Sequence, residues 1–340
     1  MLIRRVFFDQ IGPLHGHSAG LLIDDQARGS ACVRGPNGAG KSTWLRAVHA
    51  LWVWFRRSAT RRRAERLVAT DPGAPAGSTA GVLVEGLPGP VPRLWLWQGS
   101  AQRWLAEVQS TGDAAPVLMS DAAFAGAAEA VSEAVLADWD ERFAAAEYGT
   151  AEVAPPNVTL VDAEHRFVAA LRPRDLQSPA RSPAWIAAPR YHARDGMDHL
   201  EVLMRGLALA RKPEWALLRA QLSALLPGLT LLDDFDAATQ RPRFQLQSGQ
   251  VLTLDALSAG EKALLITLVT VLRFSSPGGV VLLDEPELHQ HLSLMRGSLA
   301  ALEQLVVRER GGQLIVASHA PEVWAHFRGA GALVELKGRG

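Results

Sequence analysis

The run Gly35-Pro36-Asn37-Gly38-Ala39-Gly40-Lys41-Ser42-Thr43 has the residue types and spacing to wrap a phosphate. It fits the pattern G-x-x-x-x-G-K-[S/T]. Its glycines let backbone N–H groups turn inward around an anion, Lys41 can reach the terminal phosphates, and Ser42 can offer its hydroxyl to Mg²⁺. A second stretch, Val280-Val281-Leu282-Leu283-Asp284-Glu285-Pro286-Glu287, reads as a buried strand that ends in carboxylates. Asp284 there can hold the shell of the magnesium, and Glu285 can polarise an attacking water. In Leu257-Ser258-Ala259-Gly260-Glu261-Lys262, Ser258 and Gly260 stand where a helix start could bind an anion, although the same residues also make an ordinary helix cap. Finally, Ile315-Val316-Ala317-Ser318-His319-Ala320-Pro321 ends an apolar run in a histidine that could hydrogen-bond a γ-phosphate. The chemistry these residues imply is that of a nucleoside triphosphate with its metal.

Such residues need rigid elements to present them. Ser30 to Val33 reads as a short buried strand before the loop, and Thr43 to Phe55 as a helix after it, so a positive helix end faces the anion. Paired apolar stretches at Val82–Val84 and Leu94–Trp97 read as strands, and Asp71 to Ala80 as a loop. From about residue 113 the pattern turns helical, with Ala122–Ala146 rich in Ala and Glu and Leu200–Leu226 interrupted at Pro213. Between them, Arg172 to Arg190 carries four prolines and reads as irregular. Strand patterns return at Phe244–Gln247, Val280–Leu283, Leu314–Ala317 and Leu333–Leu336. There is no internal repeat and no long heptad register.

Composition excludes several classes. The 340 residues, 48% hydrophobic, suffice for one large α/β domain or two smaller ones. Lys+Arg and Asp+Glu balance at 35 each, so no global basic field announces nucleic acid. The lone Cys32 favours a reducing compartment and reads as a buried structural thiol. No apolar run approaches a membrane span and no leader pattern opens the chain, so it reads as soluble and cytoplasmic.

The four stretches, in this order, resemble those of an ATP-binding-cassette-type ATPase: G-P-N-G-A-G-K-S-T, L-S-A-G-E-K, L-L-D-E-P-E and the histidine of A-S-H-A-P. The run Glu285-Pro286-Glu287-Leu288-His289-Gln290-His291-Leu292 is similar to the E-P-E-L-H-x-H of the OLD and RecF-like branch, which is related to SMC heads. The resemblance implies an α/β P-loop NTPase with a mixed sheet core and a mostly helical second lobe. Residues 1–112 and 229–340 would form the two parts of the ATPase core, and 113–228 the helical lobe. It further implies ATP and Mg²⁺ as ligands and a homodimer closed by ATP, with Ser258 and Gly260 completing the site of the partner copy. Two departures stand out. The family's glutamine after the first helix has no obvious counterpart, and Gln98 is the first candidate; neither a TOPRIM nuclease domain nor long coiled coils accompany the core. The expected role is therefore to drive or gate a partner effector, a nuclease or toxin, in DNA repair or anti-phage defence. The competing expectation is the ATPase subunit of a transporter.

Three weaker signals remain. Arg56, Arg57, Arg61, Arg62 and Arg63 form the densest positive cluster, which could contact nucleic-acid phosphates or simply be a solvated helix face. Trp52, Trp54, Trp95, Trp97 and Trp104 could stack on bases, but packing against the neighbouring lobe is the reading their spacing favours. His289 and His291 lack acidic or thiol companions at metal-site spacing.

Overall fold

A computed structural model describes residues 1–23, 26–27, 29–121, 124, 126–147, 150–152, 154–165, 199–328 and 331–337. The expected irregular stretch 172–190 lies outside the described residues. The chain starts with β1 (Leu2–Asp9), β2 (His17–Gly20), the short pair β3 (Leu22–Ile23) and β4 (Gln26–Ala27), then β5 (Ser30–Arg34). Helix α1 (Lys41–Arg61) follows, then β6 (Thr79–Glu85), β7 (Arg93–Gln98), α2 (Ala101–Thr111), β8 (Val117–Met119), α3 (Glu133–Glu147) and β9 (Val158–Val161). The second half runs α4 (Leu200–Ala210), α5 (Lys212–Leu225), β10 (Leu229–Phe235), β11 (Pro242–Leu246), β12 (Val251–Leu252) and α6 (Ala259–Phe274). It closes with β13 (Val280–Asp284), α7 (Leu292–Glu303), β14 (Gln313–Ser318), α8 (Pro321–Phe327) and β15 (Ala332–Glu335).

Parallel and antiparallel strands segregate into two main sheets. One, in the order β15-β5-β14-β13-β9, is parallel throughout. The other, β2-β1-β6-β7-β8, is antiparallel except for its last pair. Helix α1 lies between them and packs on strands of both. The two-residue alternation of side chains divides the strands cleanly. Ala31, Val33, Val280, Leu282, Ile315 and Ala317 join α1 and the antiparallel sheet in one core. Cys32, Val281, Leu283, Leu314 and Val316 face the other way, into a core with α4, α5, α6, α7 and α8. A parallel sheet covered on both faces must read as nearly continuous apolar runs, and these strands do.

The stretch 113–228, expected as a helical lobe, supplies two strands to these sheets. β8 pairs with β7, and β9 pairs with β13 at the edge of the parallel sheet. Among the described residues of 122–146 the α-helix begins at Glu133, and α3 packs on α1 through Trp139 and Phe143. Strands of three and four residues carry too few alternations to betray themselves. The break at Pro213 is where expected: the proline opens α5, where its missing N–H costs no helical bond. Trp95 and Trp97 point to one face of β7, as their spacing requires, and pack with Trp104 beneath α2.

One side chain joins the two sheets. Gln313, fully buried at the start of β14, accepts from the Ile3 N–H at 2.7 Å and donates to the Ile3 carbonyl at 3.1 Å. It thus satisfies both backbone groups of a β1 residue as a neighbouring strand would. Replacing it with an apolar residue of similar length strands two buried polar groups at about 1–3 kcal/mol each. Gln313→Leu should therefore lower the urea-unfolding midpoint by the equivalent of about 2–6 kcal/mol; an unchanged midpoint would show that the sheets are not tied here.

Candidate functional site

Parallel register gathers the candidate residues at one sheet edge. Arg34 pairs with Ser318, Ala317 with Asp284, and Leu283 with Val161. The next residue along each chain is therefore delivered to the same carboxyl-terminal edge: Gly35, His319, Glu285 and Asp162. Ligands of open α/β sheets bind at this edge, where strands end and loops begin.

The phosphate loop runs from β5 into α1. Gly38 and Gly40 have φ of +77° and +96°, a region that favours glycine. At Gly40, the cap of α1, a Cβ would also lie 2.7 Å from Pro13. Open space surrounds the equivalent point on Gly38, at the mouth of the loop. Lys41 is buried, and its Nζ donates to the carbonyls of Gly35 at 3.0 Å and Pro36 at 2.9 Å. The ammonium thus spans the loop from inside. Ala39 is buried and Asn37 exposed, while Ser42 Oγ and Thr43 Oγ1 have no hydrogen-bond partner among the described residues.

The acids emerge beside this loop. Asp284, 1% exposed, ends β13. Glu285 takes the left-handed region with φ +44°, and its N–H still donates to the Ala317 carbonyl at 2.8 Å. That twist turns the chain out of the sheet one residue after Asp284. Glu285 Oε1 lies 3.5 Å from His319 Nδ1, and Glu287 Oε1 lies 3.2 Å from the same nitrogen. Cys32, beneath, has its thiol pushed up to about 12 by burial and by the Glu287 charge, with Arg34 opposing. It is a core thiol.

Ser258 caps α6. Its Oγ accepts from the Glu261 N–H at 3.3 Å, and Glu261 Oε2 accepts from the Ser258 N–H at 2.7 Å. This reciprocal pair is a capping box. Gly260 backs onto the turn after β13, where a Cβ would sit 2.6 Å from the His289 carbonyl oxygen. The protomer therefore joins Gly260 to the acidic turn, while the hydrogen bonds of Ser258 stay within its own helix start. His291 caps α7 through Ser293 and sits apart from the histidine of the site.

Two expectations need correction. Gln98 is buried on β7 of the antiparallel sheet, and its Oε1 accepts from the Gly73 N–H at 2.9 Å. The residue that topology places next to Asp284 is Asp162, just past β9. Arg46 of α1 grips it with two hydrogen bonds, at 2.7 and 3.0 Å, and also reaches Glu164. The signal was weak because β9 is short and its partner strand lies over a hundred positions away. In the arginine cluster, Arg56 pairs with Glu147 and lies on the Phe143 ring, and Arg57 pairs with Asp71. Arg61, Arg62 and Arg63 alone of the five remain exposed. The tryptophans are packed inside, where they reach no base.

Residues 214–325 match a family model described as "AAA domain, putative AbiEii toxin, Type IV TA system". A search of curated proteins found no significant match. Among solved structures, the chain is similar to an SMC head bound to the C-terminal winged-helix domain of ScpA, at 14% identity, covering 96% of this chain and 92% of that one, TM-score 0.48. It is also similar to the SMC head domain of Thermotoga maritima, at 14% identity over 96% and 92% of the two chains, TM-score 0.42. A third similar structure is a dimeric ATP-binding cassette in a post-hydrolysis state with ADP and phosphate, at 11% identity over 99% and 94%, TM-score 0.42. The phosphate loop between β5 and α1 and the parallel strand order around it make this a P-loop NTPase-type α/β fold, and the matched AAA-domain model lies over its C-terminal third. No helix among the described residues is long and apolar enough to cross a membrane.

The geometry of Gly40 yields a direct test. A Cβ there combines a left-handed backbone with a clash against Pro13, and strain of that kind costs about 1–3 kcal/mol. Gly40→Ala should lower the unfolding midpoint by the equivalent of that amount, whereas Asn37→Ser, at an exposed position of the same loop, should leave it nearly unchanged.

Proposed function

We propose that the chain is a cytoplasmic ATP hydrolase that closes into a homodimer on ATP and drives or gates a protein effector. One observation carries the reading: strand register brings the Lys41 loop, Asp284, Glu285 and His319 to a single edge. The loop fits a triphosphate, because its mouth is open at Gly38 and its lysine is already turned inward. Ser42 and Asp284 are the hard oxygen donors that would hold Mg²⁺, which neutralises phosphate charge when bound.

In this reading Lys41 exchanges its loop carbonyls for the β- and γ-phosphate oxygens. Glu285 orients the attacking water and takes its proton, and the bond between the γ-phosphorus and the bridging oxygen breaks as the new one forms. His319 donates to the γ-phosphate as charge builds. Ser258 and the exposed start of α6 would meet the γ-phosphate of a second copy, where hydroxyl, N–H groups and helix end all favour an anion. Support for an effector in defence comes from the toxin–antitoxin setting named by the matched family. A nuclease or toxin fits that setting better than a membrane permease. Arg61, Arg62 and Arg63, exposed and without ion pairs among the described residues, leave a smaller basic patch for a nucleic-acid backbone.

Glu285→Gln should retain ATP but slow phosphate release by about 10²- to 10⁴-fold, since the base is lost and the cradle is intact. Lys41→Ala should weaken nucleotide binding itself. Wild-type turnover in Glu285→Gln would remove Glu285 from the role of base.

The composite site makes a separate prediction. Mixing inactive Lys41→Ala with inactive Ser258→Arg chains should restore part of the activity, because one of the two sites then has both halves intact. The Glu285→Gln chain with ATP should elute as a dimer in size-exclusion chromatography. No complementation together with a monomer under ATP would sink the shared site.

A further inference from the structure

Glu287 lies two residues past the proposed base, and its bonds all run to the histidine loop. Its Oε1 accepts from Ser318 Oγ at 2.6 Å and from the His319 backbone N–H at 3.3 Å, and it lies 3.2 Å from His319 Nδ1. Its Oε2 is buried and has no hydrogen-bond partner among the described residues. His319 Nδ1 lies within ion-pair distance of two carboxylate oxygens, Glu287 Oε1 at 3.2 Å and Glu285 Oε1 at 3.5 Å; carboxylates accept, so a proton on that nitrogen is the arrangement this geometry favours. When one ring nitrogen is held in this way, the tautomer and the direction of the other are set. Nε2, without a hydrogen-bond partner among the described residues, is the nitrogen left to meet a ligand.

A buried carboxylate oxygen with no partner is costly, and a neutral acceptor would hold the loop with less desolvation. Three contacts converging through one oxygen onto two consecutive residues therefore suggest a task beyond packing. We infer that Glu287 is the positioning residue of the site: it holds His319 with Nδ1–H toward Glu287 and Nε2 toward the γ-phosphate. Proton count follows directly. To donate to a phosphate oxygen from Nε2 while Nδ1–H stays on Glu287, the ring must engage the nucleotide as an imidazolium. The inference rests on the ATP-hydrolase reading for its consequence in turnover, but the hold on the ring stands apart from it.

Two measurements on the full chain separate these layers. In the nucleotide-free protein labelled with ¹⁵N-histidine, long-range ¹H–¹⁵N correlations, assigned with His319→Gln, should show the Nδ1–H form of neutral His319. Glu287→Ala should abolish that preference. Glu287→Gln should keep it, since the amide oxygen replaces Oε1 and the amide NH₂ occupies the place of the unpartnered Oε2. In steady-state ATPase assays, Glu287→Ala should lower kcat by about 10²-fold, the usual consequence of a misplaced catalytic group, with KM changed by less than about threefold. Glu287→Gln should retain most of kcat. If the alanine chain does not fold, Glu287→Met, similar in size but without the acceptor, takes its place. An unchanged tautomer in Glu287→Ala would overturn the inference, as would a Glu287→Gln chain with the tautomer intact and turnover as low as alanine. If instead His319→Gln hydrolyses ATP at the wild-type rate, the catalytic reading of the histidine fails, and the spectra still decide whether Glu287 holds the ring.

Discussion

The structure depends on the register of four parallel strands. Because β5, β14, β13 and β9 are paired without a slip, loops as far apart in sequence as those at Gly35 and His319 end at one edge. A shift of one residue in β13 would exchange Val280 and Leu282 for Val281 and Leu283 between the two cores, and would withdraw Glu285 from His319. Burial on both faces makes such a slip expensive, since each strand would expose a mismatched set to a closely packed core. Gln313 extends the constraint outward by hydrogen-bonding to the backbone of β1. The antiparallel sheet is thereby joined to the parallel one beside α1, which packs on strands of both.

Charge at this edge is crowded and mostly neutralised in advance. Asp162 is held by Arg46, whose own guanidinium is pulled up from its usual range chiefly by that hydrogen bond. Lys41 is occupied by loop carbonyls, which a phosphate could replace without moving the helix. Two carboxylates, Glu285 and Glu287, lie within 3.5 Å of His319, and Asp284 ends the same strand one residue before them. Such a grouping is unfavourable for stability alone and suits a ligand that brings both negative phosphate and a cation.

The helical layer has its own charge link to the start of α6. Glu201, fully buried in α4, receives two nitrogens of Arg241, and Arg241 also reaches Asp255 at 2.7 Å. Asp255 precedes Ser258 by three residues, so the α6 cap is tied through one guanidinium to the helices behind it. A buried carboxylate is tolerated there only because the paired guanidinium satisfies it. The capping box of Ser258 and Glu261 then finishes the helix start locally. Hence the cap is fixed to the helical layer of its own chain.

Local chemistry was legible in the sequence. Glycine spacing around Lys41 dictates a loop whatever surrounds it, because φ of +77° and +96° are open mainly to glycine. The apolar runs ending in Asp284 and Ser318 announce buried strands, since four or more consecutive apolar residues have few other uses. Ser258 with Glu261 three residues on announces a helix start. What tertiary structure alone decided is which distant ends meet. β8 and β9 are too short to show a period, so Asp162 was invisible while Gln98, a glutamine in the right order but the wrong sheet, stood out. Arg56 and Arg57 look like a surface patch until α3 brings Glu147 and Phe143 to one, and the loop after α1 brings Asp71 to the other. Glu287 stands out only as one letter of the E-P-E-L-H-x-H run, which says nothing of its partner; the register that sets β13 beside β14 puts its carboxylate against Ser318 and His319. Turns and caps are settled by residues within a few positions of each other, whereas pairings across a sheet depend on contacts that exist only once the chain has closed on itself.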